Sequence, residues 1–546
     1  MWRWLWPKAG VTTALCLVLT LFISTGVRGV GFGSMWDEGL QLEGLKRSVQ
    51  TVSITQTGYY YGGLYYVPGY LLLAPQFLRQ VPLMLQQMRE LPSRPFDATK
   101  YPAIVEAQQR AMETLASPSF VERERSVFVG FVSLTILAVF WASYLVNGSL
   151  WAAFTAAAAV GLSWELSYHS RWIAVDSLLG LCGALALGCV CGALSASATP
   201  TQSRSRFRWA AFAAGIGMGC KLPGLFLSVP VLLGLALSPH SRGLRAWLPR
   251  VLEAVCLMAA VFVAANPGVL LDPLHYANDM FRVESDYNLI DDDPYCVPSF
   301  GLRLAKIAGY WALVSFSPFW PVAAGLAALV VWGAFVGVRE LQPKLLAVLA
   351  FVLVYSCFVA TQRLLIVRNL MVTLPPLAIL LSVGVQRCAW FLARFRAGPA
   401  LLGTLLASGG LMNARWSWQA SGSVGTTTSD SILERFEAEV LSSQHPGLYV
   451  SPDLRAALRA RGSLPESRLK LATWDAATEV ALYADALPGW KANVPLYAHY
   501  FASLHANYDY YPGLLGWSGL KKMGEPVVLL SKAKLLELGI KKAPQR

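Results

Sequence analysis

Asp37 and Glu38 stand side by side in the run Met-Trp-Asp-Glu-Gly, about ten residues beyond the first long apolar stretch. Ionisable groups held at or near a bilayer mark functional sites more often than structural ones, although an acidic dipeptide in a loop is ordinarily just solvated. Three further polar sets stand at the ends of later apolar stretches. One is His169-Ser-Arg171-Trp-Ile-Ala-Val-Asp176, with an arginine and an aspartate five apart. A second is Lys221, between the glycine-rich Gly215–Gly219 and Pro223-Gly224. The third is Gln362-Arg363 with Arg368-Asn369, just before Pro375-Pro376. A lone lysine in an apolar hairpin can snorkel to the interface, and a lone arginine at a helix end can anchor to headgroups. Cations at three separate mouths, facing one acidic pair, are harder to explain that way.

These residue types suit a lipid-linked phosphate ester. Arginine holds phosphate by paired hydrogen bonds and lysine as a point charge, while a carboxylate can take the proton from an acceptor hydroxyl. A phosphate diester or pyrophosphate leaves without a general acid, but its developing charge must be neutralised by positioned cations. Glycoside hydrolysis fits less well, because its two carboxylates stand about 5–10 Å apart across the bond. Neighbours such as Asp37 and Glu38 point in different directions. One is expected to be the base, the other an orienter or a partner for Arg171.

The elements that must position these groups are membrane helices. The chain has 546 residues, of which 55% are hydrophobic and 14% charged, and its mean hydropathy of +0.46 excludes an ordinary soluble protein. The net charge of +13 follows from arginine and lysine gathering in cytoplasmic connections, so nucleic acid is not an expected partner. No cysteine or histidine spacing suits a zinc site. Apolar runs approaching the ~20 residues of a span recur near 9–27, 126–146, 150–168, 173–196, 208–220, 222–238, 250–265, 310–338, 344–361, 368–386 and 398–412. That is an α-helical polytopic membrane protein with about eleven spans. The first run is read as a retained helix, since Ser24-Thr-Gly-Val-Arg28 is a poor cleavage site.

With these spans, the connections holding Arg204, Arg206 and Arg208, then Arg242, Arg245 and Arg250, then Arg339 and Lys344, then Arg387, Arg394 and Arg396 all share the N-terminal side. That side is therefore cytoplasmic, and a bacterial plasma membrane is the expected location. Residues 28–125, the Tyr168–Asp176 segment, the acidic loop 266–306, the Thr361–Arg368 connection and the tail fall on the outer side. Gly62–Leu78 is read as a helix lying on or dipping into that surface. The expected domains are a membrane domain over 1–412 and a soluble α/β domain over 413–546. In the latter, strand-like 447–450 and 527–530 alternate with helix-like 453–459, 476–484 and 533–538. No cofactor is demanded by these residues. The run Asp291-Asp292-Asp293 is the candidate for a divalent cation on oxygen ligands, though such runs are usually solvated. The aromatic stretch His499–Tyr511 is read as domain packing ahead of a sugar platform.

Taken together, the acidic pair after the first helix, the His-Ser-Arg-Trp-Ile-Ala-Val-Asp stretch, the glycine-rich run into Lys221-Leu-Pro-Gly and the Gln-Arg…Arg-Asn…Pro-Pro segment resemble the GT-C glycosyltransferases. The similarity is to the protein O-mannosyltransferase and lipid A aminoarabinose transferase branch, over roughly residues 9–412. The resemblance implies a polyprenyl-phosphate sugar donor used at the outer membrane face and a lipid, glycan or protein acceptor. It further implies Asp37 as base with Glu38 beside it, donor phosphate on Arg171, Lys221, Arg363 and Arg368, and His169, Asp176, Tyr65 and Tyr66 near acceptor or sugar. Two departures stand out. The His-Pro-Pro or Lys-Pro-Pro element of the first loop is replaced by Gly62-Gly-Leu-Tyr65-Tyr66, and the segment Arg79–Arg125 is long and polar. A secondary transporter, with charges in broken helices, and an oligosaccharyl- or polysaccharide-transferring enzyme are the alternative readings.

Overall fold

The computed structural model describes residues 2–28, 30, 36–51, 62–90, 98–289, 296–425, 448–452, 455, 472–483, 496–500 and 525–537. It divides into two compact units, one containing Trp36–Ser421 and the other starting again at Gly422. Among the described residues of the first unit, seven helices are long and apolar enough to cross a membrane. They are Lys8–Val27, Ser119–Asn147, Val175–Ala193, Leu244–Ala265, Trp320–Arg339, Pro343–Thr361 and Arg368–Leu392. Shorter apolar helices lie at Val67–Leu78, Leu150–Gly161 and Leu222–Leu237. The 12 residues of Val67–Leu78 fall short of the ~20 a span needs.

Two of these helices form the centre. Arg368–Leu392 is 89% buried and Val175–Ala193 83% buried, whereas Leu244–Ala265 is 11% buried and turns its apolar surface outward. The central helices are those that carry Arg368 and Asp176. Close approach makes the centre possible: a Cβ at Gly384 would strike the Leu329 carbonyl, and one at Gly333 the Leu380 carbonyl. Small residues at such crossings let two backbones pack directly.

The arginines Arg204, Arg206 and Arg208 ride on a helix, Pro200–Cys220, and not in a connection as expected. The cause is local. Thr199 and Gln202 cap one another reciprocally and Pro200 occupies the first turn, a start signal placed eight residues before the apolar run. Arg204 and Arg208 then reach Glu253 on the neighbouring helix, by Nε at 2.9 Å and 2.6 Å.

A second, smaller core sits beside the membrane helices. It joins Leu45 and Val49 of the helix Trp36–Thr51, Tyr65, Tyr66 and Leu73 of the first-loop segment, and Phe120 and Phe128 to Ile173, Val175 and Cys220. The polar candidates are distributed around this core.

The second unit contains a four-stranded sheet in the order β1-β2-β4-β3. Its strands are β1 Leu448–Val450, β2 Glu479–Tyr483, β3 Leu496–Tyr500 and β4 Glu525–Ser531, followed by the helix Lys532–Glu537. β1 and β2 run parallel, and β4 is antiparallel to both β2 and β3. The segment 476–484, expected as helix, is largely β2. Its Glu-Val-Ala-Leu-Tyr run suits either state, and pairing on both edges decides it. The expected helix 453–459 and the stretch 501–511 lie outside the described residues, apart from Arg455.

Candidate functional site

Glu38 is the third residue of the helix Trp36–Thr51 and is 1% exposed. Its carboxylate takes a paired hydrogen bond from Arg125, Nε to Oε1 at 2.9 Å and Nη2 to Oε2 at 2.6 Å. The Ile173 N–H also donates to Oε1 at 3.1 Å. Glu38 thus binds Arg125, where the expected role was that of the base, an orienter or a partner for Arg171. The signal for Arg125 was present in the sequence, since Glu124-Arg125 is the last charged pair before the apolar run 126–146. Asp37 lies in the first turn of the same helix; its side chain lies outside the described residues.

Further polar contacts close a ring around Glu38. Tyr65 Oη donates to the Ile173 carbonyl at 2.9 Å, and Gln41 Nε2 donates to the Tyr65 carbonyl at 3.0 Å and to Glu124 Oε1 at 2.5 Å. Glu124 adjoins Arg125 in the chain. The ring binds the start of the Asp37-Glu38 helix, the first loop, the first turns of the helix Pro118–Asn147 and the 171–176 segment into one piece. Tyr65 and Tyr66 consequently lie in the core. Burial first, and neighbouring Tyr70 second, push the Tyr66 phenol up, so it remains neutral.

Arg171 is wholly buried. Its Nη2 donates to the Thr25 carbonyl at 2.8 Å and to the Ser167 carbonyl at 3.2 Å, and the guanidinium lies 5.8 Å from the Tyr168 ring centroid. It fastens the end of the first helix to the short helix Trp164–His169, which Ser163 caps. His169 is buried too, with Nε2 3.1 Å from Glu165 Oε1 and its ring 4.2 Å from that of Trp172.

Asp176, Lys221, Arg368 and Asn369 come together. Lys221 Nζ donates to Asp176 Oδ1 at 3.1 Å and to Asn369 Oδ1 at 2.7 Å, and Arg368 Nε stands 3.7 Å from Asp176 Oδ2. Side-chain exposures are 11% for Lys221, 6% for Arg368 and 5% for Asp176. Two cations therefore converge on one carboxylate, and Lys221 is the most exposed of the three side chains. Arginine and lysine placed side by side are the groups that hold a phosphate.

The backbone around Lys221 explains its glycines. The helix Pro200–Cys220 stops, Lys221 is extended at φ −157° and ψ 139°, and a 3₁₀ turn Leu222–Leu227 follows. Gly224 folds back onto Gly217, whose carbonyl would meet any Cβ there. Gly62 approaches Gly219 in the same way, and its N–H donates to the Cys220 carbonyl at 3.0 Å. The Gly63 N–H donates to Asn266 Oδ1 at 2.8 Å. Gly62-Gly63 is thus the contact by which the first loop packs on the break beside Lys221.

Arg368 and Asn369 lie in the 3₁₀ helix Val367–Thr373, directly before Leu374–Leu392. Pro375 and Pro376 sit at that helix's start, where a missing N–H costs nothing. The Tyr355 hydroxyl donates to the Asn369 carbonyl at 2.8 Å, and Asn369 Nδ2 lies 3.4 Å from Tyr287 Oη. Arg363 is exposed on the preceding connection, where its carbonyl accepts the Val297 N–H at 3.0 Å. Asp291, Asp292 and Asp293 lie outside the described residues. Tyr287, Tyr355, Gln41 and Asn266 escaped the sequence reading because single amides and phenols carry no spacing signal.

No protein-family model matches the chain, and no curated protein matches it. The structure is similar to ArnT from Cupriavidus metallidurans in the apo state, at 12% identity and a TM-score of 0.52 over 96% of this chain and 98% of that one. It is similar also to the same protein bound to undecaprenyl phosphate, at 13% identity and a TM-score of 0.50 over the same shares. The chain has the GT-C fold. The Archaeoglobus fulgidus oligosaccharyltransferase in the apo form matches at 11% identity and a TM-score of 0.46, over 87% of this chain and 70% of that one.

Proposed function

We propose that this GT-C chain is a glycosyltransferase that moves a sugar from a polyprenyl-phosphate donor to an acceptor hydroxyl at the outer membrane face. The observation that supports this reading most is the buried cluster of Lys221 and Arg368 on Asp176. A leaving phosphate gains negative charge as the glycosidic bond breaks, and fixed cations in a dry site stabilise that charge strongly. Lys221 and Arg368 hold the phosphate, while Asp176 and Asn369 fix the ammonium of Lys221. Arg363 lies on the exposed approach, and Arg171 acts by fastening the 171–176 segment. The similar ArnT structure that contains undecaprenyl phosphate fits a donor of this class.

Asp37 is the base. It lies in the first turn of the helix whose next residue, Glu38, is locked by Arg125, so its place in the chain is set by a rigid neighbour. The Asp37 carboxylate takes the proton of the acceptor hydroxyl, the hydroxyl oxygen bonds to the sugar's anomeric carbon, and the polyprenyl phosphate leaves with the bonding pair. The test is incubation of purified protein with a panel of polyprenyl-phosphate sugars, with and without candidate lipid, glycan and protein acceptors. Donor consumption is expected for wild type, with Asp37→Asn slower by about 10²–10⁴ and Lys221→Ala weaker in donor use by about 2–5 kcal/mol. Donor consumption unaffected by Asp37→Asn would remove Asp37 from the chemistry.

A further inference from the structure

A seven-residue π-helix, Tyr310–Phe316, follows directly on the α-helix Phe300–Gly309. π-Turns are rare, less well bonded than α-turns and concentrated at functional sites. This one is held from three sides. The Tyr310 hydroxyl donates to Glu165 Oε1 at 3.1 Å. Trp311 Nε1 donates to Thr373 Oγ1 at 3.0 Å. Asn413 Nδ2 donates to the Phe316 carbonyl at 2.6 Å, and the turn closes with the Ser317 N–H on the Ala312 carbonyl at 3.2 Å. The first two contacts lead to different parts of the cation cluster. Glu165 belongs to the helix Trp164–His169, which runs into the segment ending at Asp176. Thr373 is fully buried and is the last residue of the 3₁₀ helix that carries Arg368 and Asn369. Its hydroxyl also donates to the Leu370 carbonyl at 2.6 Å, so it ties that turn internally while accepting from Trp311. Consecutive residues of the π-turn thus grip the two elements that bring Asp176 and Arg368 within ion-pair distance.

We propose that Trp311, acting through Thr373, is a positioning residue for phosphate recognition, and that the π-turn keeps the Arg368-Asn369 turn set against Asp176 and Lys221. This rests on the assignment of Lys221 and Arg368 to the donor phosphate. Trp311 touches neither cation. It fixes the end of the turn that presents Arg368 and, through Asn369, holds Lys221, so its loss should cost headgroup affinity and leave affinity for the lipid tail unchanged.

The experiment measures dissociation constants of the full-length protein in detergent for undecaprenyl phosphate and for undecaprenol, which lacks the phosphate. Wild type is expected to prefer the phosphate. Thr373→Val keeps the shape and removes the acceptor, and Trp311→Phe keeps a ring and removes the donor. Each should lower the phosphate-over-alcohol preference about 3- to 10-fold, the range of one net hydrogen bond. Together they should lower it no further than Thr373→Val alone, which already loses the bond from Trp311. Thr373→Ser, which keeps the hydroxyl, should retain the preference. Lys221→Ala separates the two ideas. If it loses the preference while Thr373→Val and Trp311→Phe keep it, the positioning role is overturned and the phosphate site stands. If Lys221→Ala keeps the preference, the phosphate site itself is overturned. Equal weakening toward phosphate and alcohol in the Trp311 and Thr373 variants would show a general structural role and overturn the proposal as well.

Discussion

Replacing Glu38 by Gln isolates the buried pair that fixes the start of the Asp37 helix. The amide keeps the shape of the side chain and can still accept the Ile173 N–H, but it removes the charge that takes the paired bond of Arg125. The two side chains are each 2% exposed, so the guanidinium cannot turn to water. Breaking a buried ion pair at one partner costs about 3–5 kcal/mol. The Arg47–Glu43 pair of the same helix supplies the control, with side chains 52% and 50% exposed. Such a solvated pair is worth about 0–1 kcal/mol, so Glu43→Gln should be nearly silent. The assay is thermal unfolding of the detergent-solubilised protein, followed through its tryptophans. Glu38→Gln should lower the midpoint clearly, Glu43→Gln should not, and Glu38→Leu combined with Arg125→Met should recover most of the loss by removing both charges. A wild-type midpoint for Glu38→Gln, or a double variant as unstable as the single one, would refute the account of this pair as a charge lock.

Three shorter predictions test the packing around the site. Gly62→Ala would drive a Cβ into the Gly219 carbonyl and toward Asn266, lifting the first loop from the Lys221 break. It should weaken undecaprenyl phosphate binding in a titration, and unchanged affinity would separate the docking from the site. Gly384→Ala would press on the Leu329 carbonyl at the central crossing and should cost about 1–3 kcal/mol as overpacking, read as a lower unfolding midpoint. Leu341 holds φ at 48° and is 71% exposed, a helix end that glycine would occupy without strain. Leu341→Gly should therefore raise stability by about 1 kcal/mol and leave donor binding unaltered.

Much of the site was legible because charge is conspicuous inside apolar sequence. Lys221 between glycines announced a broken helix, and the helix does break there, with Gly62 and Gly224 explaining why the glycines are needed. The pairing of charges was not legible. Glu38 finds Arg125, 87 residues away, and Lys221 finds Asn369, 148 residues away; neither separation leaves a trace in local pattern. Arg171 stands among the expected phosphate ligands, and its Nη2 donates to two main-chain carbonyls, contacts that no residue type records. The arginines at 204–208 were assigned to a connection because hydropathy marks the apolar run and not the helix, and the capping signal at Thr199-Pro200 marks the true start. In the second unit, Glu479–Tyr483 became strand through its neighbours on both sides, which a local reading cannot weigh.

The central claim is that the Asp176–Lys221–Arg368 cluster receives the phosphate of a polyprenyl carrier. A cryo-EM structure of the full-length protein with undecaprenyl phosphate tests it most directly. The account predicts phosphate density within hydrogen-bonding distance of Lys221 Nζ and the Arg368 guanidinium, beside the docked Gly62–Tyr66 segment. Phosphate density resting elsewhere, with Lys221 still bonded only to Asp176 and Asn369, would contradict it.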